Sequence, residues 1–207
     1  MRLLTTASTL LFLTLAGHGL ACQPSKAAFY DDFSKPDAGW GEPRPYRAFV
    51  ARSMRLKPQP GFSNYWINKT HALQNASLCA SFKHPKLKTP AKSYFGMSFW
   101  NEDENNYSAV EIDGTGIVSV WRLTDKKWVK VADEVVAASY NKTPGAKNEL
   151  VIDLLTDTGT VSVNGAKVLE FKDQSHKDNW YAGPWAGNDT DETYEIVFNN
   201  VSMAKLP

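Results

Sequence analysis

Short runs in which apolar and polar residues alternate cover most of the chain. Phe95, Met97 and Phe99 alternate with smaller or polar residues in one run, and Val110 and Ile112 do so in the next. This period of two is typical of β-strands with one buried face, because successive side chains point to opposite faces. No segment of ten or more residues carries a convincing amphipathic-helix pattern. The pattern predicts strands at 48–57, 77–83, 94–100, 107–112, 117–123, 127–132, 148–155, 160–163, 167–171 and 193–203.

Turn signals separate these runs and predict how the strands pair. Asn164-Gly165 lies between 160–163 and 167–171, and both residues tolerate the positive φ of a type I′ hairpin turn. Asp113-Gly114-Thr115-Gly116 separates two other runs, and the polar segment 101–106 connects a further pair. Closely spaced strands with such turns favour two packed antiparallel sheets. The sequence therefore predicts an all-β fold, a two-sheet antiparallel jelly-roll sandwich.

The alternation also assigns faces to the central strands. If Phe95, Met97, Phe99, Val110 and Ile112 form the core, the opposite face carries the residues in register between them. Small residues there, Gly96, Ser98 and Ala109, would leave room above the sheet for a ligand. We therefore predict a ligand-binding face that contains Trp100, Tyr107, Glu111 and Trp121.

The seven tryptophans of the chain indicate a sugar as the ligand of such a face. Aromatic rings can stack on the C–H surfaces of sugars while nearby polar groups bind hydroxyls. Trp100, Trp121, Trp180 and Trp185 are candidates, although filling the core is the commoner use of any single tryptophan.

Several short motifs follow one another along most of the chain after residue 30. They are Asp31-Asp32-Phe33, Gly39-Trp40-Gly41, the run 95–100, Asn105-Asn106-Tyr107, Asp113-Gly114, Asn148-Glu149-Leu150 and Val163-Asn164-Gly165. In these motifs and their order the chain resembles concanavalin-like lectin and glucanase domains, and within them the 3-keto-disaccharide hydrolase domains. That resemblance implies the sandwich fold, a carbohydrate partner and, as an enzymatic alternative, hydrolysis or lyase-type cleavage of an oxidised disaccharide.

Glu111-Ile112-Asp113 looks like the first half of the E-x-D-x-x-E catalytic strand of family sixteen glycoside hydrolases. Retaining hydrolysis needs two carboxyl groups about 5 to 5.5 Å apart. Here the second glutamate is absent, because Thr115 and Gly116 occupy the following positions and Gly114 makes a turn where the strand should continue. The motif therefore predicts no catalytic residues, and non-catalytic binding is favoured. If the protein is an enzyme, a glycoside hydrolase is the expected class.

Composition bounds the remaining possibilities. A chain of 207 residues with 43% hydrophobic residues is enough for one core, so we expect a single domain over 22–207. The balance of 23 Lys plus Arg against 22 Asp plus Glu argues against a nucleic-acid partner. After the first two dozen residues no apolar run reaches the roughly 20 residues of a transmembrane segment.

Residues 1–21 have the features of a signal peptide. Arg2 supplies a positive start, 10–16 an apolar stretch, and Gly19-Leu20-Ala21 a small-residue cleavage site. We expect export, to the periplasm or the extracellular space.

The two cysteines, Cys22 and Cys79, allow one disulfide in an oxidising compartment. Two alternatives stay open. Leu20-Ala21-Cys22 loosely resembles a lipobox, which would make Cys22 a lipid anchor to the cell envelope, and both thiols could instead be buried or free.

Other chemistry has weaker signals. His71, His84 and His176 show no metal-ligand spacing, so we predict no metal site and no cofactor, with calcium left open by the acidic segments 101–106 and 188–192. No nucleophile elbow or phosphate loop is present. Five N-x-S/T sequons would accept glycans only in a eukaryotic secretory route; they begin at Asn68, Asn75, Asn141, Asn188 and Asn200. A structural or protein-interaction role is the third function considered.

Overall fold

Two antiparallel sheets form the molecule in the computed structural model, which describes residues 23–173 and 180–207. One sheet, of eight strands, contains β1 (Phe29–Asp31), β2 (Arg47–Phe49), β3 (Met54–Leu56), β6 (Ala76–Lys83), β11 (Lys147–Leu155), β12 (Thr158–Val163), β13 (Ala166–Lys172) and β15 (Ile196–Lys205). The other, of seven strands, contains β4 (Phe62–Tyr65), β5 (Asn68–Leu73), β7 (Ser93–Asp103), β8 (Asn106–Asp113), β9 (Ile117–Thr124), β10 (Lys127–Val136) and β14 (Trp180–Asn188).

The order of the strands is that of a sandwich, which confirms the predicted fold class. The eight-stranded sheet runs β13-β12-β11-β6-β15-β3-β2, with β1 paired to β15. The seven-stranded sheet runs β10-β9-β8-β7-β14-β4, with β5 paired to β14. Strands distant in sequence are neighbours, since β14 lies between β7 and β4.

The predicted strands mostly coincide with observed ones, but two differences matter. The single strand predicted at 48–57 is a hairpin of β2 and β3, because Ala51 and Arg52 adopt positive φ values of 48° and 57° and reverse the chain. The strand β14 was not predicted. It contains Gly183, Pro184 and Gly187, residue types that are depleted in strands, although it has neighbouring strands on both sides, β7 on one and β4 and β5 on the other.

The core lies between the two sheets, and the predicted inward face is confirmed. Phe95, Met97, Phe99, Val110 and Ile112 are all 0% exposed. They meet aromatic residues of the eight-stranded sheet, since the ring centroids of Phe82 and Phe95 are 5.6 Å apart. The Phe82 ring lies 5.9 Å from that of Phe198 on β15. Offset aromatic contacts of this kind add to the free energy of burial.

Trp100 does not lie on the outer face where simple alternation places it. Its φ is +49°, and the pairing of β7 with β8 shifts register between Phe99 and Asp103. This irregularity turns the Trp100 side chain back into the core, where it is 3% exposed and packs against Phe99 and Phe171. The assignment of Trp100 to the ligand-binding face is therefore wrong.

The hairpin predicted at Asn164-Gly165 is present between β12 and β13. Asn164 and Gly165 have φ values of 49° and 78°, as the turn requires. The Asn164 side chain also bonds outside the hairpin: Oδ1 accepts from the Glu149 amide at 2.8 Å, and Nδ2 donates to the Ser139 carbonyl at 2.7 Å.

The predicted signal peptide, residues 1–21, and Cys22 lie outside the described residues. The bridge from Cys22 to Cys79 therefore stays a prediction. Cys79 itself is 1% exposed on the outer face of the eight-stranded sheet, where it packs with Val151 and Ala204. Over the described ranges we find no apolar helix long enough to cross a bilayer.

Candidate functional site

A cleft of about 500 Å³ lies on the outer face of the seven-stranded sheet. We call it the outer cleft. Residues of six strands and their connections form it, because β14 and β4 bring residues from distant parts of the chain beside β7 to β10. The lining residues include Phe62, Ser63, Tyr94, Glu111, Asp113, Ile117, Ser119, Trp121, Trp128, Glu134, Trp185, Gly187 and Asp189.

Glu111 is the carboxyl group whose properties depart most from those of a surface residue. Alternation along β8 places it on the outer face, opposite Ser119 of β9 and Gly96 of β7. Burial is the main cause that raises the pKa of Glu111 to about 8, and the negative charges of Asp189, Asp113 and Glu134 contribute to the same rise. The carboxyl is therefore largely protonated at neutral pH, and it can donate a hydrogen bond to a ligand oxygen as well as accept one.

A chain of hydrogen bonds connects Glu111 to an aromatic residue of the cleft. The Trp121 indole Nε1 donates to Ser119 Oγ at 3.0 Å, and Ser119 Oγ donates to Glu111 Oε1 at 3.2 Å. Lys130 Nζ lies 5.2 Å from the centroid of the Trp121 ring, a cation–π contact, and is also paired with Glu134. These contacts fix the orientation of Trp121 beside the carboxyl.

Four aromatic rings pack on one another across the same side of the sheet, and we call them the outer aromatic layer: Tyr65, Tyr107, Trp128 and Trp185. The ring centroids of Tyr65 and Tyr107 are 5.0 Å apart, those of Tyr107 and Trp128 are 5.5 Å apart, and those of Trp128 and Trp185 are 6.2 Å apart. Gly187 makes this packing possible. A Cβ at Gly187 would come within 2.6 Å of the Trp185 ring.

Apolar rings are exposed at the rim of the outer cleft. Trp128 is 41% exposed and Phe62 is 68% exposed, and both line the cleft. Large aromatic side chains exposed around polar groups are typical of a binding surface rather than of a structural surface. Trp128 and Phe62 are therefore candidates for direct ligand contact.

Asp113 lines the cleft but is engaged in a turn. Its Oδ1 accepts hydrogen bonds from the backbone and the hydroxyl of Thr115, at 2.8 and 2.7 Å, and from the Ile117 amide at 3.0 Å. β8 ends at Asp113 and the chain then turns at Gly114. The strand therefore does not continue to the position of a second catalytic glutamate.

The structure brings two of the four predicted ligand-binding residues into the cleft. Glu111 and Trp121 line it. Tyr107 lies on the predicted face but is only 4% exposed, because Trp128, Trp185 and Tyr65 cover it. It supports the cleft from below. Trp100 is in the core.

Sequence reasoning missed Trp128 and the contributions of β14 and β4. The sequence does place Trp128 in the strand predicted at 127–132, where Trp128 and Val129 must point to opposite faces. Which of the two faces is the outer one was not assigned. Trp185 was named as a candidate, yet nothing in the sequence pairs β14 with β7. Tyr94 was also missed; burial raises its pKa to about 12, so its hydroxyl stays protonated.

The acidic segments left open for calcium are used as turns. Asp103 Oδ1 accepts from the Asn105 amide and from Asn106 Nδ2, and Asn188 Oδ1 accepts from the Thr190 amide. Among the described residues, no three His, Cys, Asp or Glu side chains are grouped so that they could hold a metal ion.

Two of the five sequons are buried. Asn68 is 0% exposed and its amide nitrogen donates to Asp37, while Asn188 is 1% exposed and donates to the Pro58 and Glu192 carbonyls. Neither amide is accessible to glycosylation in the folded protein. Asn141, by contrast, lies at an exposed position.

Comparisons with solved structures show the fold. The carbohydrate-binding module CBM66 from Bacillus subtilis superposes with a TM-score of 0.63 at 12% identity, over 81% of this chain and 96% of that one. The Bacillus licheniformis β-glucanase gives a TM-score of 0.61 at 12% identity, over 89% of this chain and 100% of that one. The xyloglucan PUL GH43B of Bacteroides ovatus gives a TM-score of 0.61 at 15% identity. The match covers 86% of this chain but only 39% of that longer protein.

No protein-family model matches the chain, and no curated protein matches it. At these identities the superpositions establish a jelly-roll sandwich of the kind found in glucanases and carbohydrate-binding modules.

Proposed function

We propose that the protein binds carbohydrate, without cleaving it, in the outer cleft. The observation that carries the proposal is the outer cleft itself, where Trp121, Trp128 and Phe62 surround the polar groups of Glu111 and Ser119. A sugar ring has apolar C–H faces and polar hydroxyl edges. Aromatic rings next to hydrogen-bonding side chains complement both.

The structural neighbours support the same class of ligand. A carbohydrate-binding module and a β-glucanase share the fold over more than four fifths of this chain. Fold alone does not assign a function, because one fold carries many sites. The proposal therefore depends on the residues of the cleft, and the neighbours only make a carbohydrate ligand the first to test.

Binding without cleavage is favoured because the local carboxyl pair is incomplete. Asp113 is held by Thr115 and Ile117, and no glutamate follows on the same strand. A retaining glycosidase needs a nucleophile and an acid/base at a fixed separation. In the motif around Glu111, the only other carboxyl group is that of Asp113, which is held in the turn.

The test is a glycan-array screen of the exported protein, followed by calorimetric titration of the best glycan. Trp128→Ala should weaken binding by about 1 to 2 kcal/mol, because it removes an exposed stacking ring. Val129→Ala is the matched control, since Val129 is 44% exposed on the same strand but points to the other face. Equal affinities for the wild type and Trp128→Ala, or no glycan bound at all, would contradict the proposal.

Hydrolysis is a second candidate, and the protonated Glu111 favours it. A carboxyl with a pKa of about 8 can act as a general acid at neutral pH. Glu134 and Asp189 also line the cleft as possible partners. The resemblance to 3-keto-disaccharide hydrolase domains makes an oxidised disaccharide the first substrate to assay. Hydrolysis would be established if the wild type forms product and Glu111→Gln forms none while it still binds the disaccharide.

We also propose that the protein acts outside the cytoplasm, after removal of residues 1–21. The support is the charge and hydropathy pattern of these residues. Envelope or extracellular glycans would then be the accessible ligands. Fractionation of cells and intact-mass analysis of the exported chain test this, and retention of Met1 in the exported protein would overturn it.

A further inference from the structure

A second cleft, of about 720 Å³, lies where the two sheets meet at their edges. We call it the edge cleft. The strand β2 ends the eight-stranded sheet and β4 ends the seven-stranded sheet, and both contribute to its walls. Its lining includes Tyr46, Arg47, Ser63, Asn64, Tyr65, Trp66, Lys69, Glu102, Asp103, Glu104 and Tyr181.

Arg47 is the charged group that distinguishes this cleft. Its guanidinium lies 4.9 Å from the centroid of the Trp66 ring, and Nη1 reaches only the Tyr65 carbonyl, at 3.5 Å. Nε is buried and has no hydrogen-bond partner. Within the described parts of the chain, no carboxylate oxygen lies within 4.0 Å of the Arg47 nitrogens. A partly buried cation in this state is costly unless an anion joins it.

Asn64 provides a second, independent observation in the same cleft. Its side-chain nitrogen Nδ2 is buried and also has no hydrogen-bond partner. Buried donors are nearly always paired in native proteins, so two unpaired donors that line one cleft indicate that acceptor oxygens belong there. Both donors are nitrogen groups, which favours an oxygen-rich anion over a cation.

Within the described residues, the carboxylates that line the cleft form no ion pair with Arg47. Glu104 and Asp103 act on Tyr65, and burial first, together with those charges, raises the pKa of Tyr65 to about 12. Burial lowers the pKa of Arg47, and the charge of Arg44 acts in the same direction. The cleft therefore offers hydrogen-bond donors at Arg47 and Asn64 and acceptors at its carboxylates. A molecule with one anionic group and several hydroxyls can bind both kinds of group.

We propose that the edge cleft is a second ligand site, which binds the carboxylate or sulfate group of an acidic sugar through Arg47 and Asn64. The planar guanidinium presents parallel N–H groups that fit two oxygens of either group. Its stacking on Trp66 holds that fork in place before a ligand arrives.

A sugar is the expected carrier of the anionic group, and this choice rests on the proposed function. Ser63 lines both the edge cleft and the outer cleft, so the two sites are separated only by β4. The tyrosines of the edge cleft, Tyr46 and Tyr65, give it the aromatic walls that sugar rings pack on. One glycan chain could therefore present a neutral unit to one cleft and an acidic unit to the other.

The experiment is a titration of the exported protein, labelled with nitrogen-15. The three probes are galacturonate, galactose 6-sulfate and galactose. The Nε–H signal of Arg47 and the side-chain amide of Asn64 report on the edge cleft. The indole N–H signals of Trp121 and Trp128 report on the outer cleft. We expect saturable shifts of the Arg47 and Asn64 signals with at least one acidic sugar and none with galactose, and the two acidic probes distinguish carboxylate from sulfate.

Variants sharpen the test. Arg47→Gln should weaken binding of the acidic sugar by about tenfold or more, and Arg47→Lys, which keeps the charge but loses the fork, by about threefold. Lys69→Gln is the matched control, since it removes another cation from the same cleft, and it should change the affinity less than either Arg47 variant. Arg47→Gln spectra that retain wild-type dispersion exclude unfolding as the cause.

Two outcomes would overturn the second site. One is the absence of any Arg47 shift with both acidic sugars up to about 50 mM, a limit beyond which binding is not specific. The other is an unchanged affinity in Arg47→Gln. Shifts of Trp121 and Trp128 with a neutral glycan, without a response of Arg47 to the acidic sugars, would leave the outer cleft intact and refute the edge cleft alone.

Discussion

At the scale of single residues, Glu111 shows how a fold can change the chemistry of a common side chain. Its position on β8 faces the outer cleft, but the aromatic rings and the acidic residues Asp113, Glu134 and Asp189 remove water and add negative potential. Its one hydrogen bond from Ser119 is too weak to offset these effects, so the pKa stays near 8. The neutral carboxyl is a donor as well as an acceptor, which suits a hydroxyl-rich ligand.

The protonation of Glu111 predicts a specific pH dependence of stability. Its pKa is raised from 4.5 to about 8 on folding, so the stabilising effect of the proton is complete below pH 4.5 and is lost as the pH rises to about 8. Over that interval Glu111 should lower the free energy of unfolding by up to about 1.4 kcal/mol per pH unit. Glu111→Gln should remove this slope, as measured by denaturant unfolding at several pH values.

The control for this measurement is Glu170→Gln. Glu170 is exposed on the other sheet and should leave the slope unchanged. A slope that persists undiminished in Glu111→Gln would show that the carboxyl is already ionised at neutral pH. That result would also weaken the case for Glu111 as a general acid.

At the scale of elements, the irregularity of β7 decides the place of Trp100. The strand alternates regularly from Phe95 to Phe99. Its pairing with β14 then takes up one extra residue between Ser98 and Asn101, where Trp100 has a positive φ. One extra residue in a strand moves the side chains after it to the opposite face of the sheet. β14 shows the opposite case, since Gly183 and Gly187 weaken its strand signal, but Gly187 provides room for the Trp185 ring and Gly183 for the close approach of the backbone at Trp66.

The bulge predicts that Trp100 behaves as a core residue. Trp100→Ala should lower the free energy of unfolding by about 3 to 5 kcal/mol, as expected for a buried aromatic, because the ring contacts Phe99 and Phe171. Trp128→Ala is the matched control, and it should cost less because Trp128 is 41% exposed. Urea unfolding measures the free energy of unfolding of both variants. Equal decreases in the two variants would show that Trp100 is a surface residue.

At the scale of the whole molecule, the place of β1 in the eight-stranded sheet bears on the predicted disulfide. β1 pairs with one side of β15 at Phe29 and Met203, while Cys79 pairs with the other side at Ser202. Neighbouring strands are about 4.8 Å apart, so Cys79 lies roughly two strand spacings from β1. The short segment 23–28 is long enough to span that distance.

This arrangement is compatible with the predicted bridge between Cys22 and Cys79. The bridge should contribute about 2 to 4 kcal/mol to stability if it is unstrained. Thiol alkylation of the denatured but unreduced exported protein should then modify neither cysteine, and reduction should expose both. Alkylation of both cysteines without reductant would exclude the bridge, and a diacylglyceryl mass on Cys22 would establish the lipid anchor instead.

The sequence by itself determined the fold class, most strands of the sandwich and the inward face of β7 and β8. It could do so because alternation and Asn-Gly or Asp-Gly turns are local signals that the backbone obeys directly. It also placed Glu111 and Trp121 on the outer face. Only the tertiary structure decided which residues join them, because β14 and β4 reach the cleft through pairings between distant segments. The sequence also did not predict the bulge at Trp100, the burial of Tyr107 under Trp128 or the unpaired Nε of Arg47. Each depends on packing between distant segments and on the loss of water, which no single run of residues determines.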